Sequence, residues 1–395
     1  MKAMAPVYFL LGIVLLNMSA FRGSKVAVTL FAIELGAPQL SIGLIIAMYS
    51  VFPVMLGLYA GKLTDRLGVR MPMIGGTLGV TLALLVPFVF PRLPGLYMSA
   101  TLIGASWVFY NVCMQNLIGA LSTPESRAKN FSNYGLVMAG GSFCGPLLSG
   151  FSIDHFGHAY AYLVLACVTL TSALILGTSR TLRTVKHKVG SIEEERATYS
   201  ASLLKHVPLR RTLITSAIVL TGTDLFQFYM PIYGHKVGLS ASAIGMVLGT
   251  FAAAAFVVRL VMPTLVKRYS ADTVLLGALY VGCASYLVFP LFDTPVLLGV
   301  IAFILGLGMG CSQPVSLMLI YDRAPPQSSG EALGLRLTIN HIMHIAVPMV
   351  FGTLGTAFGV APVFYANAAI LAAGGVITTR ARRAVTQTDR TDSKP

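Results

Sequence analysis

The feature that constrains this chain most is the recurrence of apolar stretches about 20 residues long, the length an α-helix needs to cross a bilayer. Twelve such stretches occur, over 8–33, 41–61, 71–90, 95–121, 131–153, 159–178, 212–232, 241–266, 272–291, 295–320, 333–356 and 361–379. Each must satisfy its own backbone where no water reaches, so each is expected to be helical. Composition agrees. Of 395 residues, 55% are hydrophobic and 11% charged, too apolar for a soluble globule with a polar exterior. The first stretch is too long for a cleaved signal peptide and ends in no small-residue cleavage site. Cys113, Cys144, Cys167, Cys283 and Cys311 all fall inside apolar stretches without paired or metal-ligand spacing, so they read as packing residues.

A formal net charge of +14 would suggest nucleic acid in a soluble protein, but the bases are not distributed that way. With the N-terminus cytoplasmic, 22 of the 28 bases fall on the cytoplasmic side and two, Arg92 and Lys236, on the other. That bias predicts an integral protein of the plasma or inner membrane with both termini in the cytoplasm. Topology and contact with anionic lipid then account for the basic balance, with no nucleic-acid partner. The one long polar stretch divides six spans from six. It gives an N-terminal six-helix bundle (1–179), a cytoplasmic linker (180–211), a C-terminal six-helix bundle (212–379) and a cytoplasmic tail (380–395).

The two halves repeat at a constant offset of 202 residues. Gly36 matches Gly238, Ile42-Gly43 matches Ile244-Gly245, and Leu63 and Arg66 match Leu265 and Arg268. Pro124, Ser126, Pro146 and Gly150 match Pro326, Ser328, Pro348 and Gly352. Repeated halves with a site at their interface are an architecture of membrane carriers.

After span two stands Gly61-Lys62-Leu63-Thr64-Asp65-Arg66-Leu67-Gly68-Val69-Arg70. This resembles the signature loop of the major facilitator superfamily, with glycine, three residues, Asp-Arg, one residue, glycine and then bases. Val69 and Met71 replace bases usual there. A degenerate copy, Pro263 to Arg268, sits at the equivalent place in the second half. The resemblance covers the whole chain and implies an all-α fold of twelve transmembrane helices in two pseudo-symmetric six-helix bundles. It also implies secondary transport by alternating access. Spans one, four, seven and ten would line a central cavity, two, five, eight and eleven would flank it, and the other four would face lipid.

In the loop, Gly61 and Gly68 allow close helix approach and positive φ. Asp65 can pair with Arg66, Arg70 or Arg127, or face a helix N-terminus, making a conformational latch. A solvated ion pair in a positive-inside loop is the plainer reading. Span five carries Gly135, Gly140-Gly141, Gly145-Pro146 and Gly150, which resembles in part the glycine–proline motif of antiporters in that family. Small-residue packing explains it equally.

Ionisable groups within spans are costly and by default functional. They are Arg22 and Lys25 in span one, Asp224 in span seven, Arg259 in span eight and Arg336 in span eleven. Arg22 lies roughly 21 Å into its span and Asp224 roughly 18 Å into its own, at 1.5 Å per residue. The repeat offset makes them mates, so they should face each other across the cavity. A fixed guanidinium there suits a carboxylate, phosphate or sulfonate; a structural ion pair of Arg22 with Asp224 is the alternative. Arg336, one turn inside its span, is either a gate or a snorkelling residue. Lys25 either shares the face of Arg22 or snorkels outward. Candidate substrate contacts are Arg22, Asp224 and Arg259 together with Tyr110, Asn111, Gln115, Gln227, Gln313, Asn340 and His344, with interhelical bonding as the other reading of the uncharged groups. Asp154, His155 and His158 read as a solvated outer loop.

These residues favour a transporter of a small organic anion or zwitterion, since four bases oppose one acid within the spans. Protons are the expected coupling ion, with Asp224, His341 and His344 as the groups able to carry them. The alternative is a proton-driven efflux pump for drugs or other lipophilic compounds, although no carboxylate lies in a span of the first half. An enzyme is not expected. There is no His-Glu-x-x-His helix and no accessible serine with its base, and no phosphate-binding loop supports ATP. No metal or cofactor is expected. The partners are the substrate, protons and the lipid bilayer, with the chain acting as a monomer.

Overall fold

The structure, a computed structural model, describes residues 4–178, 203–325 and 328–392. Within these, the side chains of 4–7, 58, 65, 124, 125, 127, 128, 329, 330 and 380–392 lie outside the described set. The described residues are almost wholly helical. The first half holds α1 (Met4–Glu34), α2 (Gln39–Leu67), α3 (Arg70–Val89), α4 (Leu93–Ala120), α5 (Pro124–Phe156) and α6 (His158–Thr178). The second holds α7 (Val207–Lys236), α8 (Ala241–Tyr269), α9 (Ala271–Val288), α10 (Pro295–Gly310), α11 (Ser312–Arg323), α12 (Ser329–Phe358) and α13 (Val360–Asp392). Twelve segments among the described residues are long and apolar enough to cross a membrane, with α10 and α11 forming the tenth together.

Two boundaries move. Most of the expected linker, residues 180–202, lies outside the described residues, but α7 starts at Val207 rather than 212. Pro208 in its first turn explains the early start, because a missing N–H costs nothing where no helical acceptor exists. At the other end α13 continues into the expected tail as far as Asp392.

The break in the tenth span has a chemical cause. Pro314 has no N–H to give the carbonyl four residues earlier, so the ladder ends at Gly310. The side chain of Arg259 fills the vacancy, its Nε donating to the Gly310 carbonyl at 3.0 Å.

Within each half, helices pack locally: α1 on α5, α2 on α4, α3 on α4 and α6, then α8 on α10 and α9 on α13. The halves meet mainly through α5 on α8 and α2 on α12. The outer helices α3, α6, α9 and α13 carry exposed apolar side chains such as Leu82, Leu174, Tyr280 and Val376. Such a surface suits lipid.

The turn chemistry repeats at the same offset as the sequence. Positive φ occurs at Gly36 and Gly238, at Gly157 and Gly359, and at Gly68 and its mate Ser270. Ser270 is the one non-glycine residue with positive φ among the described residues.

Candidate functional site

Between the halves lies a cavity of about 590 Å³. It is lined from both sides, by α1, α2, α4 and α5 and by α7, α8, α10, α11 and α12. One end is sealed. There α2 and α8 begin, α5 and α12 finish, and glycines let backbones touch: a Cβ on Gly245 would stand 2.5 Å from the Pro146 carbonyl. A Cβ on Gly352 would stand 2.8 Å from the Gln39 carbonyl. Farther along the same helices the glycines meet open space, as at Gly57, Gly61 and Gly135. The cavity therefore opens toward the end that carries the chain termini and the 61–70 loop.

The structure brings most of the expected charged groups together. Arg22, Lys25, Asp224 and Arg259 all line the cavity. The alternative of a structural Arg22–Asp224 ion pair is not what the structure shows. Among the described residues Arg22 and Asp224 form no ion pair; Arg22 Nη1 donates to Gln227 Oε1 at 2.6 Å, and Asp224 Oδ2 lies 2.5 Å from His344 Nδ1. Asp224 and His344 are thus one hydrogen-bonded unit. Arg22 Nε is buried without a partner, so the fork keeps donors for a ligand.

Lys25 does not snorkel. Its Nζ sits 5.2 Å from the centre of the Phe21 ring and 5.5 Å from that of Tyr49, a cation over aromatic faces. Phe21 in turn stacks on Trp107 with ring centres 4.1 Å apart. Sequence reading missed this aromatic side of the wall, since aromatic residues scattered over three helices give no local signal. Phe228 and Phe251 line it from the other half.

Of the polar candidates, Asn111, Gln227, Gln313, Asn340, His341 and His344 line the cavity. Asn111 Oδ1 accepts from the Tyr134 hydroxyl at 2.8 Å. Two expectations fail. Tyr110 is 2% exposed and sits outside the cavity wall in the core of the first half, its ring 5.3 Å from that of cavity-lining Trp107. Gln115, a turn nearer the open end, is exposed and outside the cavity wall. The wall uses one face of α4, and at 3.6 residues per turn Tyr110 lies off it, whereas Gln115 lies on that face but beyond the wall, toward the open end.

Arg336 does not snorkel. It is 8% exposed, outside the cavity wall, and its Nη2 donates to Gln313 Oε1 at 2.6 Å. It therefore fixes the start of α11. The latch loop is only partly open to test, because the side chains of Asp65 and Arg127 lie outside the described residues. Gly68 takes the expected positive φ, 79°, whereas Gly61 makes no close approach. Arg66 is exposed, and Arg70 Nη2 donates to the Gly177 carbonyl at 2.9 Å, within its own half. Asp154 is exposed, as expected, but it belongs to the last turn of α5 rather than to a loop, and it accepts from the first amides of α8 in the other half.

Among the described residues no cluster of three or more His, Cys, Asp or Glu could hold a metal. The arrangement gathers three bases, a carboxylate bonded to a histidine and an aromatic face around one cavity.

Comparison with known proteins places this geometry. The family model described as Major Facilitator Superfamily matches residues 10–348. A Bacillus subtilis (strain 168) protein described as the MFS-type transporter YuxJ is 24% identical over 65% of this chain and 67% of its own length. The multidrug resistance protein MdtG of Klebsiella pneumoniae (strain 342) is 21% identical over 86% of this chain and 83% of its own. The fold superposes on the crystal structure of a mutant of the nucleoside transporter NupG with a TM-score of 0.80 and 12% identity, covering 95% of this chain and 99% of that one. The chain belongs to the Major Facilitator Superfamily.

Proposed function

We propose that this membrane transporter carries small organic anions by alternating access, coupled to protons. The observation that carries the reading is the charge of the cavity. Arg22, Lys25 and Arg259 line it against the one carboxylate of Asp224, which already bonds His344. In a site of low dielectric that surplus attracts an anion and opposes a cation. Arg22 is the proposed anion ligand, with Gln227 holding its orientation and Asn340, Gln313 and Asn111 offering further contacts.

A proton on the Asp224–His344 pair raises the cavity charge by one and so favours the anion. Proton and substrate then travel together. On the loop-charge rule the open end is cytoplasmic, so this state faces inward. The Asp65 loop remains the proposed latch of that end when it closes, and the cavity is complete within one chain, as a monomer requires.

Uptake into proteoliposomes tests the proposal, with a panel of labelled carboxylates and phosphonates and an imposed pH gradient. Gradient-driven accumulation of an anion is expected, lost in Arg22→Ala and partly restored in Arg22→Lys, which supplies charge without the fork. Transport of lipophilic cations with no anion transported overturns it. That result would favour the second reading, drug efflux, which the name of the MdtG relative and the aromatic wall support.

A further inference from the structure

We propose that Asp154 and Thr356 are repeat-related caps, each closing the first turn of a helix in the opposite half, and that together they hold the sealed end of the cavity shut. The carrier opens this end by giving up both.

The geometry is specific. Asp154, at the end of α5, accepts through Oδ1 from the Ala241 amide at 3.0 Å and through Oδ2 from the Ser242 amide at 2.8 Å. Ser240 Oγ accepts from the Ala243 amide at 3.2 Å. The first three amides of α8, which have no helical acceptor, are therefore all satisfied, two of them from across the interface. On the other seam, the α2 start is preceded by Pro38, which offers no side-chain cap. Its Leu40 amide donates instead to Thr356 Oγ1, near the end of α12, at 2.9 Å.

These contacts are one contact used twice. Residues 154 and 356, like 40 and 242, stand 202 apart, the repeat offset. The backbone approaches between the halves obey the same rule: Gly43 lies on the Pro348 carbonyl as Gly245 lies on that of Pro146, and Gly150 on Ala241 as Gly352 on Gln39. The seal is a two-fold device in which small residues admit close packing and a trans cap rewards it.

Its two halves are unequal. A carboxylate at the positive end of a helix makes charge-assisted bonds, and a hydroxyl makes a neutral one. The α5–α8 seam is thus the tight one. The α2–α12 seam yields first.

Hydrogen–deuterium exchange of the full chain in detergent, read by mass spectrometry, tests this without any substrate. In the wild type, peptides covering 241–245 should exchange more slowly than those covering 40–44. Asp154→Ala should speed exchange at 241–245 by about tenfold or more, the factor that loss of a charge-assisted bond implies. It should also deprotect the facing segment around Pro146–Gly150. Asp154→Asn, which keeps one acceptor, should fall between. Thr356→Asp should slow exchange at 40–44 toward the rate at 241–245. Two results overturn the proposal: exchange at 241–245 within twofold of wild type in Asp154→Ala, or a rise confined to 241–243 with Pro146–Gly150 unchanged, which marks a local cap.

Discussion

At position 270 the second half keeps a backbone that glycine occupies in the first. Ser270 has φ 65° and ψ 154°, where Gly68 has φ 79° and ψ 167°. A Cβ in that region costs on the order of 1–3 kcal/mol. The side chain returns little, since its one described bond is to Thr273 Oγ1 at 3.0 Å. Ser270→Gly should therefore raise stability by about 1 kcal/mol, seen as a higher thermal midpoint in detergent with transport unchanged. A lower midpoint would mean that the serine is there for its hydroxyl. The Asp224–His344 pair makes a second residue-level prediction. Because one proton is shared, Asp224→Asn and His344→Ala should each abolish acceleration by a pH gradient, and the double variant should be no worse than either. Additive losses in counterflow exchange and coupling would separate their roles. The sequence named both residues and could not pair them. Which cavity groups touch depends on the rotation of α7 against α12, and no local pattern records it. The repeat offset suggested Asp224 for Arg22, yet symmetry relates backbone positions and leaves side-chain partners free.

Helices were legible in number and order, with ends that shift by a turn or more, because twenty apolar residues in lipid have one way to satisfy their backbones. Their breaks were less so. The tenth span reads as continuous until Pro314 is matched with the Gly310 carbonyl it cannot serve, and only the structure supplies Arg259 as the replacement donor. Asp154 was misread for a related reason. It lies within the last turn of α5, and sequence boundaries are uncertain by a turn, enough to turn a helix-end ligand into a loop residue. Glycine spacing carried more information than charge at this scale. Gly43 and Gly245 recur at the repeat offset because each receives a carbonyl from the other half. Gly245→Leu should hold α8 off α5 and cut turnover by about tenfold or more, the range that overpacking costs, with helical content intact. Gly177→Ala, where a Cβ meets nothing within 4 Å, is the control and should transport normally. Equal rates in the two variants would show that this seam need not close.

For the molecule as a whole, alternating access requires that the end now sealed opens in every cycle. The halves are joined there at two seams, and the α2–α12 seam offers a way to fasten it. The Leu40 amide donates to Thr356 Oγ1 at 2.9 Å across this seam, so Leu40→Cys with Thr356→Cys puts one thiol on each half at the seam, for cross-linking by a short thiol-reactive reagent cleavable by dithiothreitol. Native cysteines do not compete at this position: Cys113 and Cys311 are buried, Cys144 and Cys167 lie in spans of the first half, and Cys283 lies in the ninth span. The reagent should join the two halves in the state described here, in which this seam is closed. Transport by the cross-linked double variant should then drop to the level of protein-free vesicles, and dithiothreitol should restore it. Each single-cysteine variant should be indifferent to the reagent. Arrest by the cross-link together with intact binding to the open side would separate a carrier held in one state from one that has unfolded. If the fully cross-linked chain still moves substrate across the bilayer, this seam stays closed throughout the cycle. The route would then have to open along α5 and α8 alone.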